Sequence, residues 1–276
     1  MLGFVFRLRL MNRKDITFKR VFAAIIRRIV QFPSSIYFYF PFGFPAKNRK
    51  KLRALNNSHE GERCFILANG PSLNYVDFNL LKDEYCMGMN RIYLMKEQNG
   101  FMPNCLFCID EDRLIKPFHK DLDKLDIPCF YSFSSHKYFS KKENQYFLGG
   151  SYNPIFCKDA ADKFGYGGTV TYHVIQMAFC MGFKEVYIIG KDHSFNVSGK
   201  AGTAIEVKGN DQNHFIKDYF LPGQKFDIPD YQIEEYAYRI AREAYEQASR
   251  KIFNATHGGK LEIFERVDFN SLFHQK

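Results

Sequence analysis

The stretch that decides the fold is CFILANGPSL at residues 64–73. Its first five residues form a short apolar run, which predicts a buried strand, and Asn-Gly-Pro-Ser is typical of the turn that leaves such a strand. Gly70 would let the backbone approach a phosphate closely, and Pro71 and Ser72 suit the first turn of a helix. Ligands of open α/β sheets bind just outside the carboxyl ends of the strands. The turn is therefore a candidate anion site as well as an ordinary strand-to-helix connection.

Apolar runs and helical patterns alternate along the rest of the chain. This alternation predicts an α/β fold with a Rossmann-like, mostly parallel sheet and flanking helices. Residues 191–230 are predicted to be a long loop, which in a compact domain is usually functional or disordered. The predicted strands cover 63–68, 85–89, 104–109, 128–131, 185–189 and 252–254, and the predicted helices cover 77–82, 169–183 and 231–251.

Positive charge is concentrated at the beginning of the chain. The net charge of the whole sequence is +9, but residues 1–53 alone hold thirteen Lys and Arg residues and one acidic residue. The rest of the chain has 26 basic and 29 acidic residues, which is a slight negative excess. Because the basic residues are not spread over the body, we predict no general nucleic-acid-binding surface.

The basic segment has features of a membrane-surface element. Residues 15–32 show helical periodicity, with an apolar stripe bordered by Lys and Arg, which favours a helix lying in the interface of an anionic membrane. The aromatic, proline-interrupted run at 36–45 suits an interfacial loop, and no apolar stretch reaches the ~20 residues that a span needs. Two arginines within residues 1–10 argue against a cleavable signal peptide. A helix packed on the body or on a second subunit is the alternative.

These patterns divide the chain into three parts and predict its location. Residues 1–53 form a basic, aromatic, membrane-associating segment, residues 54–61 a polar linker, and residues 62–276 the Rossmann-like body. The seven cysteines lie mostly in apolar runs, which indicates reduced, buried thiols of a cytosolic protein. Cys105 and Cys108 have CxxC spacing within a predicted strand, where they would face opposite ways, so no zinc site is predicted. The expected location is the cytoplasm, peripheral to the inner face of the cell membrane.

Polar residues follow the first three predicted strands, whose carboxyl ends converge in a parallel sheet. Asn69 and Asn90 could form hydrogen bonds with a base or ribose, and Arg91 could pair with phosphate. Asp110, which opens the run Asp-Glu-Asp at 110–112, could hold a ribose hydroxyl or a metal ion. Each residue also has a structural interpretation, because Asn is common in turns with left-handed backbone and Arg91 could be a solvated helix start.

A glycine-rich run precedes the predicted helix at 169–183. Gly167, Gly168 and Thr169 resemble a phosphate cradle at a helix N-terminus, although simple capping by Thr169 explains them equally well. The run is neither a Walker A motif nor a GxGxxG fingerprint.

Acid–base candidates lie after the strand at 185–189 and in the long loop. Asp192, His193 and Ser194 reach the same crevice edge, and a carboxylate beside an imidazole can set its tautomer or raise its basicity. His214, in the loop sequence NDQNHF at 210–215, is a candidate general base, although a lone loop histidine is commonly a surface residue.

Taken together, four motifs resemble those of the MptE-like domain proteins, which are named after an archaeal 6-hydroxymethylpterin diphosphokinase and in bacteria often accompany surface-polysaccharide genes. The resemblance covers roughly residues 62–273. More distantly, the same order is similar to bacterial sialyltransferases that use CMP-sialic acid. The motifs are NGPSL at 69–73, MNRIYL at 89–94, MGFKEVYIIGKDHSF at 181–195 and NDQNHF at 210–215.

The likeness to the sialyltransferases implies roles for individual residues. Asn69, Gly70, Ser72 and Asn90 would hold the CMP nucleotide. His214 would deprotonate an acceptor hydroxyl while CMP leaves, with inversion and without a metal. Two positions depart from that pattern, because His193-Ser194 stands where those enzymes have a phosphate-binding Tyr, and Asp110 stands where they have Asn.

The leading prediction is a peripheral glycosyltransferase that transfers a sugar from a nucleotide donor, CMP-linked, to a bacterial surface glycan and requires no cofactor. Its partners would be the nucleotide sugar, the glycan acceptor and an anionic membrane contacted through residues 1–53, with homo-oligomerisation left open. One alternative is a diphosphokinase that uses Mg²⁺ and ATP on a pterin-like alcohol, with metal ligands Asp110, Asp112 and Asp192. Another is a non-catalytic polysaccharide assembly protein. The predicted catalytic residues are His214, Asp192 and His193, and the predicted nucleotide-binding residues are Asn69, Gly70, Pro71, Ser72, Asn90, Arg91, Asp110, Gly167, Gly168, Thr169 and Ser194.

Overall fold

A parallel sheet of nine strands organises the protein in this computed structural model, which describes residues 33–197 and 199–273. The strand order is β11-β10-β7-β1-β2-β3-β4-β5-β6, and every neighbouring pair in the order runs parallel. A separate antiparallel pair, β8-β9, lies within the long loop. The strands are β1 Arg63–Leu67, β2 Tyr85–Met89, β3 Cys105–Cys108, β4 Cys129–Ser132, β5 Gln145–Ser151, β6 Lys163–Gly165, β7 Glu185–Ile189, β8 Ala204–Glu206, β9 Lys225–Asp227, β10 Lys251–Asn254 and β11 Glu265–Arg266.

Helices cover the sheet and connect its strands. Helix α4 begins after the cap residue Thr169, ends at Gly182 in left-handed conformation, and is buried along most of its length. Helix α5 begins after the cap residue Asp230 and packs against α4 and β10. The helices are α1 Gly43–Arg53, α2 Met95–Asn99, α3 Lys116–Leu122, α4 Val170–Met181 and α5 Tyr231–Gln247.

The predicted α/β class with a parallel, Rossmann-like sheet is confirmed. The strand β1 is buried from Cys64 to Leu67, which agrees with the apolar run in the sequence. It lies between β2 and β7, so the strand order reverses next to it. Such a reversal opens a crevice at the carboxyl ends of the strands, where open α/β sheets bind their ligands. All seven cysteines are buried and have free thiols, as predicted.

Several elements differ from the prediction. Strands β5, β6 and β11 and helices α1, α2 and α3 were not expected, and the predicted helix at 77–82 is a short 3-10 turn over Phe78–Leu81. The long loop at 191–230 contains the β8-β9 pair. In the nine-stranded sheet, the unpredicted strands β6 and β11 are the two edge strands, with three and two residues, and the unpredicted β5 lies next to β6.

The end of the basic segment and the predicted linker pack on the body. The side-chain amide of Asn48 on α1 donates to the Phe147 carbonyl at 2.7 Å and accepts from the Phe147 N–H at 2.9 Å, which attaches α1 to β5. In the predicted linker, the Asn57 N–H donates to the Cys180 carbonyl at 2.9 Å. Residues 43–61 thus pack on the body, whereas the sequence assigns residues 43–53 to the membrane-associating segment and residues 54–61 to a linker. The predicted amphipathic helix at 15–32 lies outside the described residues.

The aromatic run at 36–45, for which the sequence predicts an interfacial loop, is in part helical and buried. Phe38 is 1% exposed, and residues 33–38 are helical. Within the described part of the chain, no helix has the length and apolar character needed to cross a membrane.

Candidate active site

The carboxyl ends of β1, β2 and β7 meet through hydrogen bonds between the turns that follow them. The Gly70 N–H donates to the Gly190 carbonyl at 2.8 Å, which joins the ends of β1 and β7. The Asn69 side-chain amide donates to the Met89 carbonyl at 3.2 Å, which joins β1 to β2. The ends of β1 and β2, two of the three strand ends predicted to converge, therefore meet here together with the end of β7, and they form the floor of the candidate site.

Asp192 determines the shape of the turn after β1. Its Oδ2 accepts hydrogen bonds from the Ser72 hydroxyl at 2.8 Å and from the Ser72 N–H at 3.3 Å. A Cβ at Gly70 would overlap Asp192 Oδ2 and lie 2.7 Å from the Gly190 carbonyl oxygen. A side chain is thus excluded at Gly70 by the approach of the β7 turn, whereas the sequence indicated an approach of phosphate.

Two buried acceptor oxygens at this rim have no donor. The Oδ1 atoms of Asn69 and Asn90 are both buried and form no hydrogen bond. Asn90 has a φ of 53°, in the left-handed region that Asn tolerates, and its N–H donates to the Phe107 carbonyl at 2.6 Å. A buried acceptor without a donor costs about 1–3 kcal/mol. A ligand with N–H or O–H groups would remove that cost at two neighbouring positions.

Arg91 holds the long loop. Its Nη1 donates to the carbonyls of Asp218, at 3.2 Å, and Tyr219, and its guanidinium lies 4.0 Å from the centre of the Phe118 ring. Its backbone N–H donates to the Tyr219 hydroxyl at 3.3 Å. These contacts anchor the loop to the end of β2, which is a different use from the phosphate contact that the sequence predicted.

His214 and Asp211 form a hydrogen-bonded acid–base pair. Nδ1 of His214 lies 2.7 Å from Oδ2 of Asp211, and the imidazole stacks on the Tyr219 ring with centroids 3.9 Å apart and planes 2° apart. The other oxygen of Asp211 accepts from the Asn213 N–H at 2.8 Å. A buried carboxylate on one ring nitrogen orients a histidine and stabilises its protonated form. The candidate base predicted from the sequence therefore has an orienting partner.

The loop that carries this pair is fastened to the turn after β1. The Phe215 N–H donates to the Asn69 carbonyl at 2.9 Å, and the Asn74 side chain donates to the Phe215 carbonyl at 3.1 Å. His214 is therefore the chain neighbour of a residue bonded to Asn69. Sequence reasoning did not single out Asp211, although its three-residue spacing from His214 was a usable signal.

A second set of charges is sealed between β7 and α5. Nζ of Lys191 lies 2.8 Å from Oε2 of Glu234, and the side chain of His193, only 4% exposed, lies 3.6 Å from Glu234 and 3.4 Å from Glu235. Burial alone would raise the pKa of Glu234, but the Lys191 ammonium and the His193 imidazole lower it overall. The pKa of Lys191 is raised, because attraction to Glu234 outweighs the effect of burial.

The predicted pairing of Asp192 with His193 is wrong. Asp192 bonds Ser72, and His193 faces the glutamates of α5. His193 has a φ of 53°, and this left-handed backbone conformation changes the direction of the chain between Asp192 and His193. Asp192 and His193 are adjacent in sequence, but Asp192 contacts the turn after β1 and His193 contacts helix α5.

The glycine-rich run lies where α4 begins. Oγ1 of Thr169 accepts from the Thr171 N–H at 3.3 Å, so Thr169 caps the helix. A Cβ at Gly167 would lie 2.7 Å from the Ala237 Cβ, and one at Gly168 would lie 3.2 Å from Ile233. Capping and close packing against α5 explain these residues, and their contact with phosphate stays a prediction.

The carboxylates proposed as metal ligands have separate partners. Asp110 accepts from the Arg113 N–H at 2.9 Å and caps the turn that follows β3, while Asp112 pairs with Lys116. Glu111 accepts from the Ser134 hydroxyl at 2.8 Å, and Asp192 bonds Ser72. Across residues 33–197 and 199–273, no group of three or more His, Cys, Asp or Glu side chains could hold a metal ion. The set Asp110, Asp112 and Asp192 is thus not assembled.

A polar cleft opens beside the turn after β1. It has a volume of about 110 Å³ and includes Pro71, Asp192 and Ser194 from the predicted site. A neighbouring cleft of about 160 Å³ extends along β8 and β9. Both clefts are lined by Gln212 and Asn213, which stand between Asp211 and His214 in the chain. The clefts thus adjoin the loop of the acid–base pair.

The parallel sheet and the crevice beside β1 define a Rossmann-like α/β protein. The family described as 6-hydroxymethylpterin diphosphokinase MptE-like matches residues 45–198, and this chain belongs to that MptE-like family. No curated protein matches the sequence.

A comparison with solved structures found a structure with a similar fold. It is the structure of the MAf glycosyltransferase from Magnetospirillum magneticum AMB-1, with a TM-score of 0.51 and 17% sequence identity. The alignment covers 83% of this chain and 39% of that protein, so this chain spans about two fifths of its length. At this identity the likeness concerns the fold alone.

Proposed function

We propose that this protein is a glycosyltransferase that transfers a sugar from a nucleotide donor, CMP-linked, to a bacterial surface glycan. The observation that carries the proposal is the pair of donorless oxygens on Asn69 and Asn90, next to a loop with an oriented histidine. The glycosyltransferase fold of the structural neighbour supports the reaction class.

The two asparagines suit the nucleoside part of the donor. Both Oδ1 atoms need N–H or O–H groups, which the exocyclic amine of cytosine and the ribose hydroxyls supply. The polar cleft beside Pro71 and Ser194 is a location for the groups that follow the ribose. Most of the catalytic effect in such a site comes from holding donor and acceptor in position.

The acid–base pair suits activation of the acceptor. With Nδ1 of His214 bonded to Asp211, Nε2 takes the proton of the acceptor hydroxyl. The acceptor oxygen forms a bond to the anomeric carbon as the bond from that carbon to the phosphate oxygen breaks, and CMP leaves with the electron pair. Asp211 stabilises the imidazolium that results. A general base of this kind contributes roughly 10²- to 10⁴-fold to the rate.

The test separates nucleotide binding from turnover. Calorimetry with CMP should show binding to the full chain, with an affinity about 10- to 100-fold lower in Asn69→Ala and in Asn90→Ala. Asn79→Ala, on an exposed turn, is the matched control. CMP release from CMP-sugars should depend on an acceptor glycan and persist in EDTA. Equal CMP affinity in all the variants would contradict the assignment.

The family description favours a second candidate, a diphosphokinase acting on a pterin-like alcohol. This reaction would need Mg²⁺ and would form AMP from ATP, because a divalent ion neutralises the phosphates in such transfers. AMP formation that EDTA abolishes would establish it in place of the glycosyltransferase. A chain that binds no nucleotide or nucleotide sugar would instead fit a non-catalytic assembly protein.

A further inference from the structure

Exposed apolar side chains are concentrated in one short segment before α1. Ile36, Tyr37, Tyr39, Phe40 and Phe42 form this segment, here called the aromatic patch, and Phe42 is 71% exposed. Isolated exposed apolar residues are ordinary, but a contiguous cluster marks a surface that contacts a partner or a membrane.

The aromatic patch is fixed to the body. Phe38, in the middle of the segment, is buried and packs edge-on against Phe133 with ring centroids 5.1 Å apart. The Arg49 guanidinium on α1 donates to the carbonyls of Tyr39 and Phe40 at 3.2 and 3.3 Å. The exposed rings therefore project from a segment whose other side is attached to the β5 end of the sheet.

Basic side chains surround the aromatic patch. The Arg49 guanidinium lies 5.6 Å and the Lys163 ammonium 4.9 Å from the centre of the Tyr39 ring. Helix α1 contains five Lys and Arg residues and no acidic residue. In the sequence, residues 1–32 hold a further eight basic residues and one acidic residue. The Tyr39 hydroxyl also donates to the carboxylate of Asp162, so the surface combines aromatic rings with an excess of basic over acidic side chains.

We infer that the aromatic patch and helix α1 form a docking surface for an anionic phospholipid bilayer. Tyr and Phe rings lie at the level of the lipid headgroups, and Lys and Arg side chains contact lipid phosphates. Charge complementarity selects this occupant, because anionic lipid headgroups attract the Lys and Arg side chains. Burial of the aromatic rings in the membrane interface adds to this attraction. The inference goes beyond the proposed function and does not depend on it.

Flotation of the full chain with vesicles tests the inference. Vesicles of phosphatidylcholine mixed with phosphatidylglycerol should bind the protein, and pure phosphatidylcholine should bind it much less. Replacing Phe40→Ser and Phe42→Ser together should lower the partition constant at least about tenfold, because two rings no longer enter the interface. The matched control combines Tyr75→Ser with Ile155→Ser, which are exposed apolar residues elsewhere on the body, and it should bind normally.

Charge reversal provides an independent arm. Lys47→Glu with Lys50→Glu should lower binding to the anionic vesicles by about 25-fold or more, since each basic residue near the surface contributes roughly fivefold. Binding should also weaken as salt rises. Unchanged binding in the Phe40→Ser, Phe42→Ser double variant, or an equal loss in the Tyr75→Ser, Ile155→Ser control, would overturn the inference.

Two other occupants would give different results. Another segment of the chain could instead cover the aromatic patch in solution. In that case the Phe40→Ser, Phe42→Ser double variant should have a lower melting temperature, measured in the absence of vesicles, and unchanged vesicle binding. If a second copy covers the aromatic patch, the same variant should abolish a concentration-dependent dimer measured by sedimentation. Either result without a loss of vesicle binding refutes the membrane surface.

Discussion

His214 in the long loop and His193 at the junction of β7 and α5 are both histidines beside carboxylates, yet their surroundings differ. The carboxylate beside His214 receives one backbone N–H and the imidazole itself. The carboxylate nearest His193 belongs to Glu234, which already forms an ion pair with Lys191. A carboxylate stabilises an imidazolium most when no other cation neutralises it. The contacts around His193 attach β7 to α5, whereas His214 has a carboxylate partner with no second cation in the described part of the chain, which suits the proton transfer proposed for it.

The first prediction concerns His214 and has the largest expected effect. His214→Gln should lower turnover with a CMP-sugar by roughly 10²- to 10⁴-fold, because no group then takes the acceptor proton. CMP affinity, measured by calorimetry, should stay near its original value. His119→Gln, on the surface helix α3, is the control and should retain activity. Full turnover in His214→Gln would remove the histidine from the reaction.

The second prediction tests the stability role of the charges at β7 and α5. Lys191→Met should lower the free energy of unfolding by roughly 3–5 kcal/mol, because it leaves the buried carboxylate of Glu234 without its ammonium partner. Urea denaturation measures the loss, and Lys208→Met at an exposed position should change stability little. A loss no larger than that of the control would show that Lys191 and Glu234 are not a structural pair.

A third histidine shows what burial does without a carboxylate. Burial lowers the pKa of His173, on α4, to about 4. The unfolded chain binds a proton at His173 near pH 6.5, whereas the folded chain binds it only near pH 4. The free energy of unfolding is therefore highest above pH 6.5 and decreases as the pH falls toward 4. The loss amounts to about 3 kcal/mol.

The matching experiment compares the original chain with His173→Leu. Unfolding free energies at about pH 7 and about pH 4.5 should show a smaller acid-induced loss in the variant, because its side chain takes up no proton in either state. His119→Leu, at a half-buried position on α3, serves as the control. Identical pH dependence in the original chain and in His173→Leu would contradict the lowered pKa.

The smallest expected effect belongs to the orienting carboxylate. Asp211→Asn should lower kcat by about 10- to 100-fold and leave KM nearly constant, because it weakens a hydrogen bond to a charged group without removing the base. Asp218→Asn, at an exposed position of the same loop, is the matched variant. A kcat equal to that of the original chain would show that Asp211 only shapes the loop.

How far the sequence predicted the structure depends on the range of the interactions. The buried strand at 63–68 and the helix after Thr169 follow from local patterns, and the structure has both, with bounds Arg63–Leu67 and Val170–Met181. The short strands β6 and β11 depend on pairing with distant segments, which no local pattern specifies. At the site, proximity in sequence suggested a pair of Asp192 and His193, but the two side chains contact Ser72 and α5 instead.

By itself, the sequence determined the class of fold and the turn after β1, because these depend on apolar runs and on residues only a few positions apart. His214 was a candidate base mainly through the resemblance to the sialyltransferases. Only the tertiary structure decided which carboxylate each histidine meets, which asparagine oxygens lack donors and which aromatic rings stay exposed. Those properties arise where the ends of β1, β2 and β7, the long loop and helix α5 pack together. The partners of the histidines and the burial of the asparagine oxygens and aromatic rings depend on contacts between residues far apart in the chain.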